Sequence, residues 1–203
     1  MKNFDEMDYE TLSDDLLVQR FGISSMAFSI EGQADWLTRG PVCTWSRGVT
    51  CNRSGWVTGV GISFATRESR IPPAVGLLST MTSLYLQNAL LTGTIPSELG
   101  LLTQLAVLDL HSNTLTGSIP SELGLLTMLR GLYLHWSKLS GSIPSELGML
   151  TRLTNLDLYS NTLTGSIPSE LSMLAQLKGL SLFWNALSGS IPSELGLLTQ
   201  LTL

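Results

Sequence analysis

Cysteine, histidine and positive charge are all scarce in this chain. Of its 203 residues two are cysteine, two are histidine and eleven are Lys or Arg, against sixteen Asp or Glu, for a formal net charge of −5. Nucleic acids and anionic membrane surfaces attract a basic face, so this balance argues against both as partners. Cys43 and Cys51 are too few to ligate a structural zinc, and no histidine lies near them in sequence, so no metal is expected. Two alternatives stay open for the pair: a disulfide, which implies an oxidising compartment, or free buried thiols. No apolar run reaches the roughly 18 residues that a spanning helix needs. Nor does the start read as a secretory signal, because Met1 and Lys2 lead into Asp5, Glu6, Asp8 and Glu10. Residues 1–12 are expected to be an acidic, disordered lead. Paired nucleophile and base, phosphate-cradling loop and carboxylate pair in a cleft are all missing, so the expectation is a non-enzyme with no cofactor.

What the chain has in quantity is leucine at a fixed interval. Five near-copies of a 24-residue unit begin at Met81, Leu105, Leu129, Leu153 and Leu177. Each approximates LxxLxLxxNxLxGxIPxELxxLxx, as in Leu105-Ala-Val-Leu108-Asp-Leu110-His-Ser-Asn113-Thr-Leu115-Thr-Gly117-Ser-Ile119-Pro120. This period and leucine spacing predict an α/β leucine-rich-repeat solenoid: right-handed, curved, with a parallel β-sheet on its concave face and short 3-10 or irregular convex segments. The mean hydropathy of +0.26 reflects this leucine ladder.

A sixth, degenerate unit is read over 57–80, where Val57, Val60, Ile62, Ile71, Pro72, Val75 and Leu78 fall at the repeat offsets. The others follow over 81–104, 105–128, 129–152, 153–176 and 177–200, with 201–203 opening a truncated one, so the repeats fill 57–203. An N-terminal cap is expected over 13–56, with a helix at 13–29 begun by the N-cap Ser13 and by Asp14 and Asp15. Within a unit, the alternation of LxxLxL predicts a strand whose leucines point inward. The ninth-position Asn113, Asn161 and Asn185 should turn the chain, their side-chain amides bonding neighbouring backbone. Ala89 and Ser137 stand in that slot in two units and should break the ladder. The edge of Leu177, Leu180, Leu182, Ile191 and Leu195 is expected to face water or another chain, giving possible self-association and suggesting a piece of something longer.

The cap and the repeat together resemble plant-type leucine-rich-repeat proteins, including receptor-like kinase ectodomains and polygalacturonase-inhibitor-like proteins. Leu115-Thr-Gly117-Ser-Ile119-Pro120 and its copies carry the repeat. Trp36 and Cys43-Thr-Trp45-Ser-Arg-Gly48-Val49-Thr-Cys51 carry the cap, with Arg47 lengthening the cysteine spacing by one residue. The resemblance implies an extracellular or lumenal recognition surface used in receptor-like signalling, with a paired Cys43 and Cys51. Asn52-Arg-Ser is a glycosylation sequon in the cap.

Outward-facing slots can be read from the phase. The fifth position runs Tyr85, Asp109, Tyr133, Asp157, Ser181; the seventh runs Gln87, His111, His135, Tyr159, Phe183; the eighth includes Trp136 and Trp184. Rigid rings with His and Asp make good binding anchors. The candidate ligand-binding residues are therefore Tyr85, Asp109, His111, Tyr133, His135, Trp136, Asp157, Tyr159, Phe183 and Trp184. The expected function is binding of a protein, peptide or glycan on the concave face. A secreted inhibitor of a microbial hydrolase, resembling the polygalacturonase-inhibiting proteins, and a self-associating fragment are the alternatives.

Overall fold

The computed structural model describes residues 48–63 and 68–202. The expected lead over 1–12, the helix over 13–29 and Cys43 lie outside these residues. Each unit contributes one short strand to a seven-stranded sheet. It opens with β1 (Val49–Cys51) antiparallel to β2 (Val57–Gly61). From β2 onward the sheet is parallel, through β3 (Ser83–Tyr85), β5 (Val107–Asp109), β7 (Gly131–Tyr133), β9 (Asn155–Asp157) and β11 (Gly179–Ser181). The register places Leu84, Leu108, Leu132, Leu156 and Leu180 in line, one residue per unit.

After each strand the chain turns and enters a second parallel sheet of five strands. These are β4 (Thr92–Thr94), β6 (Thr114–Gly117), β8 (Lys138–Gly141), β10 (Thr162–Gly165) and β12 (Ala186–Leu187). Six 3-10 turns then carry the chain back, from Pro73–Leu77 to Ser193–Leu197. Every unit from Pro72 onward enters its turn through the proline of Ile-Pro, whose missing N–H costs nothing there.

The core is one continuous leucine column. In the unit beginning at Leu129, Leu129, Leu132, Leu139, Leu147 and Leu150 are each 0 % exposed. Full burial of a leucine contributes roughly 1.5–3 kcal/mol, so the apolar positions shared between neighbours hold the stack together. The degenerate unit joins it: Val57, Val60, Ile62, Ile71, Val75 and Leu78 are all buried, and Ser69 bridges to Leu91. At the far edge the sequence expectation needs correction. Leu177 is buried, as is Leu198 of the same unit, and Leu180, Leu182 and Leu195 are partly buried, while Ile191 and Leu197 are strongly exposed.

The asparagines act as expected, with a difference in where the turn falls. Asn113 Oδ1 accepts from the Ala89 and Leu91 amides, and its Nδ2 donates to the Leu86 and Leu110 carbonyls. Asn161 and Asn185 make the same two donations, but each Oδ1 accepts from one amide, that of Leu139 and of Leu163. The left-handed residue, however, is the eighth: Asn88, Ser112, Trp136, Ser160 and Trp184 have φ between 52° and 55°. The ninth-position amide pins the chain on both sides of that residue, so the side chain at the eighth is free to vary. Threonine hydroxyls add a second set of inter-unit pegs, for example Thr154 Oγ1 to the Arg130 carbonyl and Thr114 Oγ1 to that of Leu91.

Candidate functional site

Three outward rows line the main sheet, set by the one-for-one register. The fifth-position row places Tyr85 beside Asp109, Asp109 beside Tyr133, Tyr133 beside Asp157 and Asp157 beside Ser181. The seventh-position residues follow just past the strand ends. There the rings of His111, His135, Tyr159 and Phe183 form one stack, each centroid 4.5 Å from the next and each plane within 15° of its neighbour. That spacing is nearly the distance between adjacent strands, so the sheet itself sets the stack. Each such contact contributes roughly 0.5–1.5 kcal/mol beyond area burial.

The indoles of Trp136 and Trp184 stand at the rim of this stack, in the left-handed eighth position. Trp136 meets His135 and Tyr159 edge-on at 5.6 Å and 5.9 Å, and Trp184 meets Phe183 edge-on at 5.2 Å. They are 51 % and 71 % exposed, and Phe183 is 53 % exposed. A bulky ring in left-handed backbone costs more than the Ser or Asn of the other units. The chain thus carries large exposed rings where small polar residues would be cheaper. Of the ten residues singled out in sequence, the structure gathers His111, His135, Trp136, Tyr159, Phe183 and Trp184 into this one aromatic surface. Tyr85, Asp109, Tyr133 and Asp157 form the adjoining row.

The third row escaped the sequence reading. Its members include Val107, Gly131 and Asn155, at the third position. Gly131 matters because Tyr133 folds back over it. A Cβ on Gly131 would sit 2.7 Å from Tyr133 Cε2 and 3.0 Å from its hydroxyl. The packed phenol is partly buried, and its pKa is raised by that burial first, then by the Asp157 and Asp109 carboxylates and by Tyr85. The signal was present as a glycine between two leucines, but glycine at the third position also recurs at Gly179, beneath no tyrosine.

The two histidines differ sharply. His111 Nδ1 lies 2.5 Å from Asp109 Oδ1, which also accepts from the His111 amide at 3.2 Å. His135 is 9 % exposed, and its Nδ1 has no hydrogen-bond partner. Its pKa is lowered, by burial first and then by His111, with Asp157 and Asp109 opposing. A lowered histidine pKa means that the unfolded chain binds more protons at mildly acid pH. This part of the stability is therefore present above about pH 6.5 and is lost as pH falls through the folded value. The urea midpoint is expected to drop between about pH 7.5 and about pH 5, and to drop less in His135→Phe, which keeps a ring in the stack. Equal drops in the two proteins would show that His135 is not the titrating group.

At the cap edge, Cys51 is disulfide-bonded. Asn52 is exposed and its Oδ1 accepts from the Ser54 and Trp56 amides, closing a tight turn. Among the described residues no group of three or more His, Cys, Asp or Glu side chains is arranged to hold a metal ion, and no helix is long and apolar enough to cross a membrane.

A parallel sheet built one short strand per 24-residue unit, with a leucine column behind it and an asparagine ladder beside it, defines a leucine-rich-repeat solenoid. The Leucine Rich Repeat family pattern matches residues 104–126 and 152–174. No curated protein matches the sequence. Among solved structures, a TDR receptor is 39 % identical over 70 % of this chain and 25 % of that one, with a TM-score of 0.68. The BIR3–SERK2 complex from Arabidopsis thaliana is 31 % identical over 86 % of this chain and 95 % of its own, at a TM-score of 0.71. The Arabidopsis receptor kinase HAESA, in complex with the peptide hormone IDA and the co-receptor SERK1, is 26 % identical over 94 % and 45 %, at 0.63. The chain therefore belongs to the leucine-rich-repeat proteins of plant type. It spans only about a quarter of the length of the TDR receptor.

Proposed function

We propose that this chain is a non-enzymatic recognition module that binds a peptide or protein segment on its concave face. The observation that carries the reading is the continuous ring stack from His111 to Phe183 with two exposed indoles at its rim. Such rings contribute large contact area while losing few rotamers, which is why binding energy concentrates on them. HAESA, a structural relative, is a receptor that holds a peptide hormone. The disulfide at Cys51 and the exposed sequon Asn52-Arg53-Ser54 favour a setting outside the cell or in the secretory lumen, with Asn52 a candidate for glycosylation.

The test is to pan a displayed random-peptide library on the folded chain and measure the selected peptides in solution. Replacing Tyr133, His135 and Trp136 together with alanine is expected to weaken them by about thirtyfold or more, since each truncation removes a central ring. Circular dichroism of the variant checks that the solenoid persists. Peptides that bind the variant as well as the parent would overturn the assignment to this face.

A further inference from the structure

We propose that Asp109, Asp157 and the Tyr133 ring between them form a subsite for one cationic side chain of the bound peptide, arginine in preference to lysine. The inference rests on the concave-face reading and names what one part of that face recognises. The register puts the two aspartates on the strands flanking Tyr133, so their backbones stand roughly 10 Å apart. Both carboxylates act electrostatically on the phenol. Among the described residues, Asp157 pairs with no cation, and Asp109 engages His111 through Oδ1 alone. Two acidic groups on one sheet face would by themselves mean little. The second observation is His135.

In the unit before, the fifth-position carboxylate of Asp109 satisfies the histidine Nδ1. One unit later Tyr133 stands in the fifth position and folds away over Gly131, and His135 Nδ1 is left buried without a partner. The His135 ring lies parallel to His111 within 10°. Its environment disfavours protonation, and no group of the protein satisfies this nitrogen. The subsite thus presents two carboxylates, one unmatched ring nitrogen and one aromatic face. A metal ion is poorly served here, because two carboxylates supply few of the roughly six or more oxygen ligands a hard cation takes, and no group of three or more His, Cys, Asp or Glu side chains gathers among the described residues. A guanidinium does suit it, with five N–H donors in a planar fork and a face that stacks on a phenol. An ammonium offers three donors from a point and no planar face to lay against the ring.

The experiment uses peptides selected on the whole chain. Expected are sequences enriched in arginine, in which changing that arginine to the neutral isostere citrulline weakens binding by about tenfold or more. On the double variant Asp109→Asn, Asp157→Asn the same change should have little effect, since the partners it addresses are gone. Selected peptides without basic residues, or indifferent to citrulline, that still lose affinity with Trp136→Ala and Trp184→Ala would overturn the cation subsite and leave the concave-face reading standing. Peptides indifferent to every one of these changes, or a library yielding no binder, would overturn both.

Discussion

Asn113→Ala is expected to lower the stability of the solenoid by about 3–5 kcal/mol, read as a fall in the urea or thermal midpoint. The amide accepts from two backbone N–H groups of the preceding unit and donates to carbonyls in both units, at 2.8 to 3.0 Å. The side chain is 8 % exposed, so water does not replace it freely. Each backbone group stranded without a partner costs about 1–3 kcal/mol, and four are stranded together. Asn185→Ala supplies the comparison: its Oδ1 accepts from one amide, that of Leu163, where Asn113 accepts from two, and it is only partly buried at the open edge, so it should cost clearly less. The chain already shows the slot without its amide. At Ser137 the hydroxyl is too short to reach the neighbouring unit, and its Oγ is buried without a partner. Equal midpoints for Asn113→Ala and the parent would show that solvent satisfies these groups.

The fold was legible because the solenoid repeats a local rule. Leucine spacing gave strand, inward face and unit boundary at once, and Leu84, Leu108, Leu132 and Leu156 stand in register as the phase required. Residues whose conformation is imposed by neighbours were not legible. The left-handed turn falls on Asn88, Ser112, Trp136, Ser160 and Trp184, which mix small polar residues with indoles. It survives even where Ala89 or Ser137 follows, because amides such as those of Trp136 and Ser137 bond to Tyr159 and Ser160 of the next unit. A single unit therefore carries no sign of it. The candidate site divides in the same way. Phase alone brought the histidines and tyrosines to one face. The fold of Tyr133 over Gly131 and the bare Nδ1 of His135 depend on rotamers and on which residue stands opposite, and a pattern of types does not encode those.

The convex turns supply a test in which two physical arguments predict opposite signs. Gly124 lies in the 3-10 turn Ser121–Leu125, with a backbone that any residue can adopt. If conformational freedom were all that mattered, Gly124→Ala would stabilise the protein by about 0.4–1 kcal/mol through the unfolded chain. Packing decides otherwise. A Cβ there would sit 2.5 Å from the Glu146 carbonyl oxygen and 2.9 Å from its Cβ, and Gly100 and Gly148 meet Glu122 and Glu170 in the same way. The obstructing oxygen belongs to backbone, so no side-chain rotation relieves the clash and the units themselves must part. Parting them strains the strand ladders on both sheets and loosens Leu123, which is fully buried. Overpacking of this kind costs about 1–3 kcal/mol, and the upper half is expected because both neighbouring units are fixed. Gly196 lies in the equivalent turn of the unit at the open edge, where an added Cβ meets nothing within 4 Å. Gly196→Ala should therefore be neutral or slightly stabilising. The pair is informative because substitution and local backbone are alike and only the stacked neighbour differs. If Gly124→Ala raised the midpoint as Gly196→Ala does, close approach of the turns would not be what requires glycine there.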